Sequence, residues 1–342
     1  DWKGQLTNDG VVGVNADFNL ANDEYGVSEN RFGLGLGIQS PVGDVLSIGL
    51  NARANLSQYT NAIADYKRNL FEIDPSATYS NDQLSLKIGA KVALLDEDSS
   101  LNEDFIIYPD VRLDYNLSQN VRAYVAVSGG IQQHYYASRS TENFHISDSA
   151  NLQHASETYR GTLGLSANGQ KLSTNLSASY GQVDNLGVFV NRVSNPSEFD
   201  LIYDQGSTGV FTFNGLFSYN VSNSLIAELD ASFYSYSTDS LTAAYHLPTI
   251  DASFNLISKI NDQWSLAVGG QFIGGITALD TETGNVIDLD AFFDLSVELG
   301  YQISEQWGAF LRADNVLNTD YSRYWRYPNR QIMAKIGATY SF

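Results

Sequence analysis

The feature that most constrains this sequence is an alternation of apolar and polar residues that is sustained over long segments. Between residues 84 and 94, every even position is Leu, Ile, Val or Ala, whereas the odd positions include Ser85, Lys87 and Lys91. The same alternation recurs at 121–131, 211–219, 250–256 and 291–301. A period of two residues predicts β-strands that have one apolar face and one polar or small face.

The length of these segments separates two all-β architectures. Strands in soluble sandwiches usually contain about five or six residues, and turns recur about every 8 to 12 residues. The segments here run roughly 10 to 15 residues, which is long enough to cross a bilayer at a tilt. A content of 21 Tyr, 17 Phe and 28 Gly, with only 1 Met, favours aromatic strands and tight turns over helices. We therefore predict an all-β transmembrane protein.

Short polar turns alternate with longer loops along the chain. The short turns lie near residues 41–44, 80–83, 118–120, 168–171, 221–224, 261–263 and 304–306, and the longer loops near 22–30, 58–68, 96–104, 138–156, 185–207, 238–244, 280–285 and 319–329. This pattern is typical of outer-membrane barrels, whose short turns are periplasmic and whose long loops are extracellular. We predict an antiparallel up-and-down barrel of about 16 strands (about 14 to 18) over residues 11–342, preceded by a periplasmic segment, residues 1–10.

Charge and residue usage exclude some functions. A formal net charge of −20 argues against nucleic acid, because binding of phosphates needs concentrated Lys and Arg. The spacing of the 4 His does not impose a metal site, and no Ser or Asp is singled out as a nucleophile. We predict no enzyme activity and no cofactor. The acidic stretches 96–98 and 102–104 offer oxygen ligands to calcium without an EF-hand pattern, and solvated surface is the competing interpretation.

Charged residues on the polar faces of the strands are the candidate functional residues. Those predicted to face the lumen are the basic Lys87, Lys91, Arg112 and Arg122 and, from later strands, the acidic Glu228, Asp230, Asp251, Asp294 and Glu298. Inward charge is costly unless it is solvated or paired. Largely segregated signs would create a transverse field in a water-filled pore. The alternative is a salt-bridged, partly filled lumen that conducts little.

The last loop carries an aromatic cluster, Tyr324, Trp325 and Tyr327. Such a cluster is suited to binding a sugar or a partner protein, or it packs the loop.

The C-terminal region carries three motifs: residues 313–321 read Ala-Asp-Asn-Val-Leu-Asn-Thr-Asp-Tyr, residues 327–330 read Tyr-Pro-Asn-Arg, and residues 336–342 read Ile-Gly-Ala-Thr-Tyr-Ser-Phe. Together these motifs resemble the final hairpin of TonB-dependent receptors. Those receptors have an Asn-hydrophobic-hydrophobic-Asn-x-x-Tyr strand, a Tyr-Pro-x-x-Arg loop, here one residue shorter, and a Tyr-x-Phe end. The resemblance implies that Tyr340 and Phe342 carry the C-terminal signal of a strand that closes the barrel in a Gram-negative outer membrane.

The sequence also departs from that family, whose members carry an N-terminal plug and twenty-two strands. Strand-like alternation begins near Val12, so we expect a barrel without a plug. The leading hypothesis is a channel for small hydrophilic solutes. The alternative is a barrel subunit of a larger outer-membrane complex for protein insertion, export or surface display. The expected contacts are membrane lipid, lipopolysaccharide, and either small solutes or other outer-membrane proteins.

Overall fold

The described part of the chain folds into one large antiparallel sheet with three small hairpins and one short helix. The computed structural model describes residues 2–5, 10–97 and 105–341. The strands of the large sheet are β1 (Trp2–Gln5), β2 (Val11–Asn22), β3 (Ser28–Val42), β4 (Leu46–Thr60), β5 (Asp65–Ser80), β6 (Leu84–Glu97), β7 (Phe105–Ser118), β8 (Val121–Gln132), β9 (Ala155–Asn168), β10 (Leu172–Asp184), β13 (Ser207–Ser222), β14 (Leu225–Ser237), β15 (Ile250–Lys259), β16 (Trp264–Gly274), β19 (Phe292–Gln302), β20 (Trp307–Asp314) and β23 (Met333–Tyr340). The hairpins are β11 (Gly187–Asn191) with β12 (Phe199–Tyr203), β17 (Ile276–Leu279) with β18 (Val286–Leu289), and β21 (Ser322–Tyr324) with β22 (Tyr327–Pro328), and the helix is α1 (Tyr136–Glu142). Within the described ranges, no helix is long and apolar enough to cross a membrane.

Each strand of the 17-stranded sheet pairs with the next one along the chain. The β4–β5 ladder, for example, runs antiparallel from Leu46↔Tyr79 to Thr60↔Asp65. This is the predicted up-and-down architecture, and the strand number lies within the predicted range. The fold class is therefore confirmed.

The exposure of the two faces is the reverse of that in a soluble protein. Large apolar side chains stand exposed along the strands, including Phe18 at 64%, Ile88 at 57% and Leu163 at 62%. Polar residues such as Asn55 and Arg68, which point to the other face, are buried. A soluble sheet would bury its apolar face against a second layer. An apolar face that remains exposed on strands of this length is the face that lipid covers.

The connections follow the predicted asymmetry with one correction. The predicted long loop at 58–68 is wrong, because β4 continues to Thr60 and β5 begins at Asp65, with Tyr59 and Tyr66 paired across the ladder. The long segments at 133–154 and 185–206 contain structure of their own, α1 and the β11–β12 hairpin.

The first and last described strands both pair within the large sheet. Residues 2–5, which the sequence assigned to a segment before the barrel, form β1 and pair with β2 from Trp2↔Val14 to Gln5↔Val11. The domain boundary at residue 10 stays a prediction. Tyr340 pairs with Trp307 on β20, with their rings 4.8 Å apart, whereas Phe342 lies outside the described residues.

Candidate functional site: the polar face and the loop cap

All nine charged residues singled out in the sequence lie on one face of the sheet, here called the polar face. Cross-strand pairs share a face, and successive pairs connect Lys87 to Arg112, Ala126, Thr162, Ser179, Thr212 and Tyr234. Tyr234 lies on the same face of β14 as Glu228 and Asp230, since side chains alternate along a strand. The ladders continue to the remaining acids through the pairs Ser232↔Asp251, Gln271↔Asp294 and Ala267↔Glu298. Their assignment to a lumen remains a prediction.

The charges on this face are less segregated than the sequence suggested. Lys87 forms an ion pair with Asp110, with Nζ 2.5 Å from Oδ2. Arg112 donates two hydrogen bonds to Asp114, of 2.7 and 2.9 Å. Arg122 and Lys91 instead donate to neutral oxygens. Arg122 donates to the side-chain oxygen of Asn116 and Lys91 to the carbonyl of Gly129, and both donor–acceptor distances are 3.3 Å. Asp110, Arg112 and Asp114 follow one another at intervals of two residues along β7, so their side chains lie on the same face.

Two of the predicted acids have structural partners. Asp294 accepts hydrogen bonds from the Tyr321 hydroxyl at 2.7 Å and from the backbone N–H of Asn315 at 3.1 Å. It thereby anchors the last loop to β19. Glu298 lies 3.7 Å from Arg312, which also pairs with Asp314.

The other acids face open space. Glu228 and Asp230 are exposed, and within the described part of the chain neither forms an ion pair. Asp251 accepts a hydrogen bond of 3.2 Å from Gln271. A cavity of about 500 Å³ lies here, with a lining that includes the polar residues Ser166, Ser173, Asn175, Ser218, Glu228, Asp230, Ser253 and Asn255 and the apolar Leu216. A second of about 510 Å³ shares Ser253 and Asn255 with it. The wall from β9 to β16 is therefore hydrophilic, acidic and open.

The long loops 133–154, 185–206, 238–249 and 315–332 meet in one body, here called the cap. Its largest buried cluster includes Phe189 and Phe199 from the β11–β12 hairpin, Ile146 and Leu152 from loop 133–154, and Tyr59 from β4, with Val27 beside β3 and Tyr324 from the last loop packed among them. Segments that lie far apart in strand order thus touch one another. This requires the sheet to curve around its polar face.

His246 connects three parts of the cap. Its Nδ1 lies 2.9 Å from the carbonyl of Phe189, and its Nε2 lies 3.2 Å from the backbone nitrogen of Trp325. Nδ1 must therefore carry the proton, and Nε2 accepts one from Trp325. Burial, opposed by the Phe189 hydrogen bond and assisted by Arg323, lowers the pKa of His246 to about 4.

The aromatic cluster of the last loop packs the cap. Tyr324 is partly buried against Phe199 and His246, and its hydroxyl donates to the carbonyl of Glu142 at 3.0 Å. The ring of Tyr327 stacks on His145 with centroids 4.0 Å apart. Of the two interpretations given above, these contacts favour packing.

Acidification is expected to loosen the cap through His246. The unfolded pKa of His is about 6.5, so below that pH the opened loop binds a proton that the folded site excludes, and by pH 5 the loss is about 2 kcal/mol. The contribution of neutral, buried His246 to the stability of the cap is fully present above about pH 6.5 and is lost as the pH drops towards 4. Amide hydrogen exchange, corrected for its intrinsic pH dependence, should show faster exchange in 238–249 and 322–328 at pH 5.

The control for this prediction is His246→Asn, because asparagine tolerates the positive φ of 58° and keeps one donor and one acceptor. This variant should lose that share of the pH dependence. An identical pH dependence in the variant would contradict the role of His246.

Asp204 joins the second and third loops of the cap. Its buried carboxylate accepts hydrogen bonds from Thr208, from the backbone N–H groups of Asp239, Ser240 and Leu241, and from the Ser240 hydroxyl, over 2.5 to 3.1 Å. Burial acts to raise the pKa of this carboxyl, but these donors outweigh it and lower the pKa to about 2.

Replacing Asp204 by Ala should unfasten these two loops. The donors would remain buried without an acceptor, at about 1 to 3 kcal/mol each where water does not reach them. Limited proteolysis should then cut the 185–206 and 238–249 loops while the strands stay intact. Asp204→Asn, which keeps one acceptor oxygen, should be cut more slowly than the Ala variant, and equal resistance of Ala variant and wild type would disprove the clamp.

The described residues contain no group of three or more His, Cys, Asp or Glu side chains that could hold a metal ion. The acidic stretches proposed for calcium lie largely outside the described ranges. Both ring nitrogens of His246 bond to backbone atoms, the carbonyl of Phe189 and the N–H of Trp325, and not to a nucleophilic side chain.

A long-stranded antiparallel sheet with an apolar outer face, a polar inner face and a loop cap at one end defines an outer-membrane β-barrel. Three solved structures share this fold. The pyoverdine outer membrane receptor FpvA from Pseudomonas aeruginosa PAO1 matches with a TM-score of 0.73 at 12% identity, over 99% of this chain and 60% of that one. The FrpB iron transporter from Neisseria meningitidis matches with 0.72 at 11%, over 99% and 62%. The FpvAI–pyocin S2 complex matches with 0.73 at 12%, over 99% and 56%.

This chain therefore has the barrel fold of TonB-dependent outer-membrane receptors, as the C-terminal resemblance implied. It spans 56 to 62% of the length of these three structures. They are Gram-negative outer-membrane proteins, in agreement with the predicted location. No protein-family model and no curated protein matches the sequence.

Proposed function

We propose that the chain is an outer-membrane transport barrel that passes small hydrophilic solutes along the wall from β9 to β16. The observation that carries this is the exposed hydrophilic lining at Glu228, Asp230 and Asn255. It lies beside two cavities of about 500 and 510 Å³, each large enough in volume for a small solute. Hydroxyl and amide groups replace the hydration of a passing solute, and the acids favour cations over anions. In this proposal the loops narrow the interior.

The membrane contacts follow from the same geometry. The apolar face would contact lipid, and the cap would stand on the lipopolysaccharide side. The structural neighbours are receptors and transporters, which supports transport over catalysis.

Liposome swelling with neutral sugars of increasing size tests this proposal. Vesicles that contain the purified barrel should admit a pentose faster than a disaccharide, and protein-free vesicles should admit neither. If no sugar enters vesicles that hold folded, heat-modifiable protein, the proposal is wrong.

A second candidate, a barrel subunit that binds other proteins, has support from the outer surface of the cap. Phe144 and Val193 of the cap, and Tyr25 and Ile63 in the short loops 23–27 and 61–64, are 70% to 80% exposed. Exposed apolar groups of this kind mark protein interaction sites, and one structural neighbour is described in a complex with pyocin S2. Extraction in mild detergent discriminates the two, because a barrel subunit should emerge with a stoichiometric partner whose binding is lost in a Phe144→Ser, Val193→Ser variant.

A further inference from the structure

Residues 133–154, here called the strap, enter the polar side of the sheet instead of remaining above it. Gln133 leaves β8 and accepts a hydrogen bond from Asn55 of β4 at 3.0 Å. Its amide nitrogen lies 3.5 Å from Glu72. Glu72 is half-way along β5 (Asp65–Ser80), so the strap begins deep in the interior.

The first anchor of the strap is Glu29 of β3, a carboxylate that is only 1% exposed. Its two oxygens accept the backbone N–H groups of Tyr136 at 3.0 Å and Ala137 at 3.1 Å, in the first turn of α1. The strap emerges between β8 and β9, so reaching β3 carries it past β4 to β7. Glu29 is the second residue of β3, so this anchor lies at the loop end of the sheet, whereas Gln133 reaches further along the strands.

The second anchor is Arg68 of β5, which is 2% exposed. It donates to the carbonyl of His134 at 2.7 Å and to Nδ1 of His154 at 2.9 Å, so one guanidinium holds both ends of the strap. His154 also accepts the backbone N–H of His134 at 3.0 Å. Two further bonds hold the middle of the strap, because the Tyr59 hydroxyl and the Asn61 amide both donate to the carbonyl of Ala150.

Burial on the polar face changes along the strands: residues near the loops are buried, including Thr208 and Thr212 of β13, and residues nearer the short turns are exposed. On the β3–β8 side, Asn55, Arg68, Leu70, Ala93 and Tyr108 are all buried. On the β14–β15 side, Glu228, Asp230 and Asn255 are exposed. Asn51, Arg53 and Arg122, nearer the short turns on the β3–β8 side, are exposed as well, so the strap lies against the loop end of the interior.

We propose that the strap is the specificity-determining element of the passage and that Glu29 and Arg68 are its positioning residues. This inference rests on the proposed transport function. Bonds to strands that are remote from its own ends hold the strap at the loop end of the sheet, so its position sets the width that is left for solute there. Releasing it should admit larger solutes without changing the barrel wall.

The experiment uses the full chain, which contains no cysteine, so introduced thiols can be labelled uniquely. Glu29→Ala removes both acceptors of α1, and Asp44→Ala, in the turn between β3 and β4, removes the same charge where no such contact exists. In the Gln133→Cys background, maleimide should label Cys faster when Glu29 is Ala, which reports release of the strap. Liposome swelling should then show severalfold faster entry of a trisaccharide for Glu29→Ala, with Asp44→Ala equal to wild type.

A covalent cross-link that holds the strap in place provides the matched control. In Glu29→Ala, an Asn55→Cys, Gln133→Cys pair joined by a short bis-maleimide should restore the original size limit. If labelling shows that the strap is released and the size limit is unchanged while the pentose enters normally, the strap proposal is overturned and transport stands. If wild type admits no sugar and Glu29→Ala admits the pentose, control of the passage by the strap is supported, whereas the proposal that the unmodified protein passes small solutes is overturned. If neither protein admits the pentose although the strap is released, both proposals are overturned.

Discussion

Leu256→Arg is expected to destabilise the barrel by about 2 to 4 kcal/mol, because it places a cation on the lipid-covered face at mid-depth. Leu256 is 40% exposed and pairs with Val268, which lies near the middle of β16. Its neighbour Asn255 is also exposed but points to the polar face. Asn255→Arg should therefore be tolerated within about 0.5 kcal/mol, as is usual for a solvated surface position.

Urea titration of folding into phospholipid vesicles measures both variants. The pair differs by one position along a strand, so strand propensity and added charge are nearly the same and only the face differs. Equal loss of stability in both variants would mean that the apolar face does not meet lipid.

Changing Glu228 to Gln and both Asp230 and Asp251 to Asn is expected to lower the cation preference severalfold. These acids carry the negative charge of the open wall, and a narrow passage of low dielectric focuses their field. Because Glu228 and Asp230 form no ion pair within the described chain, the melting temperature should hardly change. The reversal potential in a salt gradient measures the first effect and circular dichroism the second.

The matched control replaces three exposed acids in the short turns, Asp44, Asp262 and Glu305, with their amides. It changes net charge equally, so its reversal potential should stay near that of wild type. If the triple variant of the wall instead loses about 3 to 5 kcal/mol of stability, these acids are partners of buried cations and the interior is filled. An unchanged reversal potential would mean that Glu228, Asp230 and Asp251 do not line the path of the ions.

Much of the fold follows from the sequence because period-two alternation leaves a sheet only one choice of face. Lys87, Arg112, Glu228 and Asp251 all lie on the predicted face for this reason alone. Local pairing was harder to predict. Asp110 and Asp114 escaped notice because an alternation count records the face of a residue and not which side chains reach it, Lys87 from the next strand in one case and Arg112 from the same strand in the other.

The cap could not be predicted, because its contacts connect segments that no periodicity relates. Glu29 reads as a polar residue at the start of a strand, yet it binds α1 from more than 100 positions away in sequence. One signal was available in retrospect. Loop 133–154 contains Tyr135, Tyr136, Ile146 and Leu152, which is more apolar surface than a solvated loop of that length exposes at low cost.

Single-channel recording in planar bilayers tests the central claim most directly, namely that this barrel encloses a hydrophilic passage. Purified protein should insert to give ohmic, cation-preferring conductance in KCl, and Glu29→Ala should give a larger unit conductance than wild type. Folded protein that inserts and shows no conductance in either form would contradict a solute passage along the wall from β9 to β16.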